Sequence, residues 1–303
     1  MMETTASHLI RPQRPKILGI AHFAAYTDDL AKAELLFTDY FGYAKPYYIE
    51  REGKPTIMLV KISDRQYIEF FEDDAHRLVK YRHTAFEVDD VEAMRVYLQM
   101  MGLKVPAEVE DPGFGFKCFF VNDFSGNEIE FLQYTDTGVL AEHRGQDMPD
   151  TRVSDLMRHV GWICKDLSKE LAFYGFLLGF EEFWRGGEPP MRSQWIKLRM
   201  PDSPTNDYIE IMLYDHELNQ EELGCLNHIS LDVDDVPATK ALLDTRQIPE
   251  GCSPAEPQKI GACGYGQSNI YLIDKTRVEV MTRVAVGGKP TPSVYGVPVR
   301  FDE

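Results

Sequence analysis

Basic clusters, long apolar runs and paired cysteines are all missing from this chain, and each absence removes a class of function. With 32 basic against 49 acidic residues the formal net charge is −17. No lysine or arginine stripe offsets it, so a phosphate backbone would be repelled and nucleic acid is not an expected partner. No apolar stretch reaches the roughly 18 to 20 residues that span a bilayer, and the opening MMETTASHLIRPQRPK lacks the apolar centre of a signal peptide. The expectation is a cytoplasmic protein with no membrane contact. Cys118, Cys164, Cys225, Cys252 and Cys263 are odd in number and widely spaced, with no Cys-x-x-Cys pair. They read as reduced, mostly buried thiols rather than disulfides or thiolate ligands. The glycine-rich stretches GFGF from Gly113 and GACGYG from Gly261 neither follow a strand nor open a helix, as a phosphate loop must, and read as hairpin turns.

What is present is a repeat. Four segments begin alike, from Ile17, Arg82, Arg158 and Asn227, each with a histidine in a β-prone run, then an acidic residue, then an amphipathic helix. Asp28, Asp90, Asp166 and Asp235 stand where a helix N-cap or first turn belongs, and Gly42 and Gly179 stand where two of the helices should stop. Short runs of strand character follow each helix, so the unit is β-α-β-β-β and the class α+β. The polar stretch around residues 138–154 reads as a linker. It separates a domain over 15–137 from one over 155–285, each of two modules, with extended tails at 1–14 and 286–303.

Each opening strand carries a histidine and each closing strand a glutamate: His22 with Glu69, His83 with Glu130, His159 with Glu210, His228 with Glu279. The pairs are 47 residues apart in both modules of the first half and 51 apart in both of the second. In each closing strand apolar neighbours bracket the glutamate, so alternation turns its side chain to the opposite face. A carboxylate inside a sheet cavity is costly unless it is paired or binds a cation. Neutral imidazoles and carboxylates suit a divalent ion such as Zn, Fe, Mn, Ni or Co.

From Ile17 to Arg283 this pattern resembles the vicinal oxygen chelate superfamily, the glyoxalase, bleomycin-resistance and extradiol dioxygenase group. The stretch FFVNDFSGNEIEFLQY is similar to that group's closing hairpin, with Asp123, Gly126, Asn127 and Glu130 in place, whereas the counterpart with Asp274 and Glu279 is two residues shorter. The resemblance implies paired modules forming two curved sheets, each around a metal position. Because four-module relatives usually keep the working metal in the C-terminal half, His159, His228, Glu279 and Glu210 rank first as ligands. His22, Glu69, His83 and Glu130 form the second candidate set.

Three functions follow from the resemblance. In an isomerase, epimerase or lyase, Glu210 or Glu279 would remove a proton beside a metal-bound carbonyl of a small polar substrate. This is the leading expectation. An extradiol dioxygenase would need the two histidines and Glu279 around iron, but the group's acid-base histidine is absent, with Ala262, Cys263 and Gly264 ahead of Ile270 and Tyr271, and Lys275 stands where a proline is expected. Ring cleavage of catechols is therefore not expected. The third is a non-catalytic binding protein. Arg192, in a polar loop, is a candidate for a substrate anion, and Trp162, Tyr208 and Tyr271 are candidates to line the pocket. The chain is expected to act as a monomer or homodimer on a small molecule.

Overall fold

The computed structural model describes residues 12–51, 53–187 and 194–287, so the expectation for Arg192 lies outside the described residues. The first module runs β1 (Ile17–Thr27), α1 (Leu30–Leu35) continued by a π-helical turn (Leu36–Tyr40), β2 (Tyr47–Arg51), β3 (Lys54–Ser63) and β4 (Gln66–Glu72). The second has β5 (Tyr81–Val88), α2 (Val91–Met100), β6 (Phe116–Asn122) and β7 (Glu128–Tyr134). Its expected third hairpin strand is reduced to one bridge, Glu110 to Cys118. Pro106, Pro112 and Gly113 crowd that stretch and interrupt a ladder. After α3 (Val139–Glu142) come β8 (Met157–Cys164), α4 (Leu167–Glu170) with its own π-helical turn (Leu171–Leu177), β9 (Glu181–Gly186), β10 (Trp195–Arg199) and β11 (Tyr208–Leu213). The chain continues through α5 (Gln220–Cys225), β12 (His228–Val233), α6 (Val236–Leu243), β13 (Lys259–Ile260), β14 (Tyr265–Tyr271) and β15 (Arg277–Ala285).

Two curved sheets result, ordered β2-β3-β4-β1-β5-β7-β6 and β13-β14-β15-β12-β8-β11-β10-β9. In both, two opening strands lie antiparallel at the centre, and each is flanked in parallel by its own closing strand. The parallel pairings share one register. The glutamate of each closing strand faces the residue two beyond the histidine: Ala24 with Glu69, Ala85 with Glu130, Gly161 with Glu210 and Ser230 with Glu279. This offset places every histidine diagonal to its module's glutamate on one face.

The opposite faces carry the core, which runs through both halves. Tyr81 stacks on Trp162 with centroids 6.1 Å apart, and Phe86 meets Tyr174 and Phe180. The Gln66 side chain donates to the carbonyls of Ile20 and Met157 while accepting from the Met157 N–H, tying the sheets together through buried backbone.

Helix entry follows the acidic pattern, with one shift. Asp90 and Asp235 accept from the backbone three residues on, and Asp166 accepts from Ser168. The first helix is capped by Asp29 and not Asp28, because Asp29 holds the extended backbone of an N-cap while Asp28 pairs with Lys80. Gly42 ends its helix at φ +80, where an added Cβ would strike the Thr151 carbonyl. The stretch expected as a linker packs down. Val153 N–H and the Thr151 hydroxyl donate to the carbonyls of Phe41 and Gly42, and Lys61 donates to those of His143 and Gln146. Gly261 to Gly264 turn between β13 and β14, as expected of a hairpin. Among the described residues no helix is long and apolar enough to cross a membrane.

Candidate metal centres

Cross-strand register builds the two sites as rows. In the first half one row reads Leu59, Glu69, Ala24, His83, Glu128 and the next Tyr67, His22, Ala85, Glu130. The second half repeats it with Lys197, Glu210, Gly161, His228, Arg277 above Tyr208, His159, Ser230, Glu279. Small residues at the row centres leave room above the strands. At Gly161 an added Cβ would run into the His228 ring, so that ring lies directly over the glycine.

In the first half the two histidine Nε2 atoms approach to 2.9 Å. Glu130 Oε2 lies 2.9 Å from His22 and 3.1 Å from His83, and Glu69 Oε2 lies 3.6 and 3.9 Å from the same atoms. Among the described residues no lysine or arginine forms an ion pair with either carboxylate. The cluster compensates by proton sharing. Burial works against a charged His22, but Glu69 and Glu130 outweigh it and raise its pKa, while Glu130, despite burial, is held well below the usual carboxylate range by His22 and His83. Two buried carboxylates beside two imidazoles, with donor atoms this close, fit a divalent cation.

The second half has the same scaffold with different charges. His159 and His228 Nε2 are 3.1 Å apart, Glu279 is 3.4 Å from His159, and Glu210 Oε2 is 3.6 Å from His228. Lys197, buried on β10, reaches Glu210 Oε1 at 3.2 Å, and the Arg277 guanidinium lies 2.6 Å from His228 Nδ1. The same Nδ1 is 2.9 Å from the Leu226 carbonyl. It serves one neighbour at a time. Donating to Leu226 leaves the Nε2 lone pair aimed inward for a metal, whereas accepting from Arg277 moves the proton to Nε2. Burial, followed for His159 by His228 and for His228 by Arg277, pushes both histidines well below their usual pKa, so they stay neutral, and burial raises Glu279. His159, His228 and Glu279 fit a divalent ion as a three-ligand set.

This second set opens on a cavity of about 160 Å³ lined by Glu210, Glu279, Lys197, Cys263, Arg277 and Trp184, among others. Tyr208 belongs to the site, since its ring stacks on His159 with centroids 4.6 Å apart. Tyr271 faces Arg277 in register but does not line the cavity. Trp162 departs from the expectation of a pocket residue. Strand alternation turns it to the opposite face, where it is fully buried between Tyr81 and Tyr174.

Lys197 and Arg277 were not anticipated from sequence. The signal for Lys197 was a lone lysine in the apolar run WIKLRM, directly across from Glu210. Its ammonium lies 5.2 Å from the Tyr208 ring and 5.5 Å from that of Trp184, and 3.4 Å from Cys263 Sγ. Burial opposes its charge, but Cys263, Tyr208, Glu210 and Glu279 outweigh burial and keep it protonated.

The family model described as Glyoxalase/Bleomycin resistance protein/Dioxygenase superfamily matches residues 19–131. A search of curated proteins finds no match. Among solved structures, a substrate complex of homoprotocatechuate 2,3-dioxygenase from Brevibacterium fuscum aligns at TM-score 0.66 and 16% identity, covering 94% of this chain and 86% of that one. The native homoprotocatechuate 2,3-dioxygenase of Arthrobacter globiformis aligns at 0.65 and 15%, over 96% and 89%. The 2,3-dioxygenase LapB of Pseudomonas sp. KL28 gives 0.66 and 16%, over 92% and 96%. The family model thus accounts for residues 19–131, and across the described residues the two curved sheets share the two-domain glyoxalase-like fold of these dioxygenases.

Proposed function

We propose that the chain is a ring-cleaving dioxygenase of the extradiol type, working on a small substrate with two adjacent hydroxyls in the second-half cavity. The observation that carries this reading is Lys197. The acid-base histidine expected near residues 262–264 is absent, but Lys197 Nζ stands 3.4 Å from Cys263 in that segment and 3.2 Å from Glu210. The pairing also draws Glu210 toward the ammonium, leaving His159, His228 and Glu279 as a three-ligand set with open positions. The extent of the likeness to extradiol enzymes, over nine-tenths of this chain, supports the same reading.

Fe(II) held by the three ligands would supply Lewis acidity and electron transfer toward dioxygen. The chain's part is proton and charge management. Glu210 accepts the proton of a substrate hydroxyl, and Lys197 holds the resulting oxygen anion in the cavity. Tyr208 fixes the His159 ring by stacking. The first-half set of His22, Glu69 and His83, with Glu130 2.9 Å from His22, shares no residue with that cavity and fits a closed structural metal position.

A second reading, the isomerase, epimerase or lyase, draws support from Glu210 Oε2, which at 3.6 Å from His228 Nε2 is also placed to alternate between metal and base. One experiment separates them. Iron-loaded protein is supplied with a panel of catechols under air while oxygen uptake and the yellow ring-opened product are followed, and with hydroxy-ketones and keto-acids in deuterated water. Oxygen uptake matched to product is expected, and Lys197→Met should lower the rate by about 10² to 10⁴ with unchanged iron content. Deuterium entering carbon with no oxygen consumed would overturn the dioxygenase reading in favour of the isomerase.

A further inference from the structure

The Lys197 and Cys263 contact has a chemistry of its own, independent of any metal. Lys197 Nζ lies 3.4 Å from Cys263 Sγ, both side chains are buried, and both line the cavity of about 160 Å³. Neither partner is free to swing away. The lysine is held by Glu210 and by the faces of Tyr208, Trp184 and Tyr265. Cys263 sits in a tight turn closed by the Gly264 N–H donating to the Gly261 carbonyl at 2.8 Å. In the first half Leu59 occupies the matching position on its strand.

We propose that Cys263 and Lys197 form a reversible sulfur–nitrogen cross-link when the protein meets hydrogen peroxide. The oxidant is small enough for the cavity. The Cys263 sulfur attacks one peroxide oxygen, the O–O bond breaks, and the departing hydroxide leaves as water with the thiol proton, giving a sulfenic acid. The Lys197 ammonium then gives one proton to the Glu210 carboxylate 3.2 Å away. Its nitrogen attacks the sulfur, the S–O bond breaks, and the hydroxide leaves as a second water with another lysine proton. Sulfur has lost two electrons and the peroxide has gained them. The link removes the lysine charge from the cavity and joins β10 to the turn before β14, so the site closes and Glu210 loses its partner. Thiol reductants reverse it by attack on the sulfur.

The test is peptide mass on the full chain, without added iron, after peroxide treatment and digestion under non-reducing conditions. The expected result is a joined pair of peptides containing Lys197 and Cys263, lighter than their sum by two hydrogens and separated by dithiothreitol. Cys263→Ser should abolish the species. Lys197→Arg should leave Cys263 as a sulfenic acid that dimedone traps. Oxygen added to Cys263 in the native chain without cross-linking, or a cross-link that retains an oxygen atom, would overturn the proposal, and because the native chain gives the deciding mass the conclusion does not depend on how well either variant folds. Catalytic assays play no part in it, so failure of the dioxygenase reading leaves this result standing.

Discussion

The two halves present the same four ligand positions on the same register and differ at the ends of one row. Leu59 and Glu128 flank Glu69 and His83 in the first half, while Lys197 and Arg277 flank Glu210 and His228 in the second. The first cluster is left with buried negative charge that a divalent ion or a shared proton must balance. The second has cations built into the chain. Charge at neighbouring positions, and not the identity of the histidines and glutamates, is what separates the two clusters.

The comparison breaks most sharply through the ligands. Replacing His159, His228 and Glu279 with alanine should abolish turnover while one equivalent of metal persists. The same change at His22, Glu69 and His83 should lower the melting temperature and remove one equivalent while leaving the second-half metal in place. Elemental analysis with an activity assay checks both, and equal loss of turnover in the two variants would erase the proposed division. A finer exchange moves a charge between the halves. Leu59→Lys should weaken first-half metal binding on the order of 10- to 100-fold, measured by chelator competition. Unchanged affinity would mean that flanking charge does not set the difference. Gly161→Ala forces the His228 ring aside, which should cost about 1 to 3 kcal/mol of stability and the second-half metal alone.

The smallest effect is read in the seam between the halves. Glu170 is buried, and burial, with the charge of Asp123 added, raises its pKa to about 7. A carboxyl whose folded pKa lies above its unfolded value binds more protons in the folded state. Stability therefore falls as pH rises from the ordinary glutamate range through about 7, and the penalty is complete above it. Glu170→Gln should raise stability at pH 8 by on the order of 1 kcal/mol and gain nothing at pH 4. Thermal melts at the two pH values decide it, and an equal shift at both would assign the effect to packing.

Much of the fold was legible because its signals are local or periodic. The four histidine and glutamate pairs, the acidic caps and Gly42 each depend on a strand period or a helix end that neighbouring residues announce. Pocket membership was less legible. Trp162 looked like a binding residue because it is large and aromatic, but odd and even positions of one strand serve opposite faces. Lys197 and Arg277 were missed because their role arises only when β10, β11, β8, β12 and β15 lie side by side, which joins residues over 60 positions apart such as Lys197 and Cys263. The cap moved from Asp28 to Asp29 because two adjacent aspartates are equivalent in sequence, and the pairing of Asp28 with Lys80 and His76, some 50 positions on, separates them.

Each candidate ligand set draws a histidine from each of two modules and a glutamate beside them, and the opening strands of those modules pair antiparallel at the sheet centre. A single module is therefore never a site, and the smallest inheritable unit of chemistry here is a pair. Duplication of such a pair yields a spare that can drift. A loss in one module of the spare silences two at once, whereas a change at the outer end of a row, such as a leucine becoming a lysine, alters the chemistry while the shared scaffold stays whole. In that sense the outer row positions are where a protein of this duplicated fold can explore new reactions without first dismantling an old one.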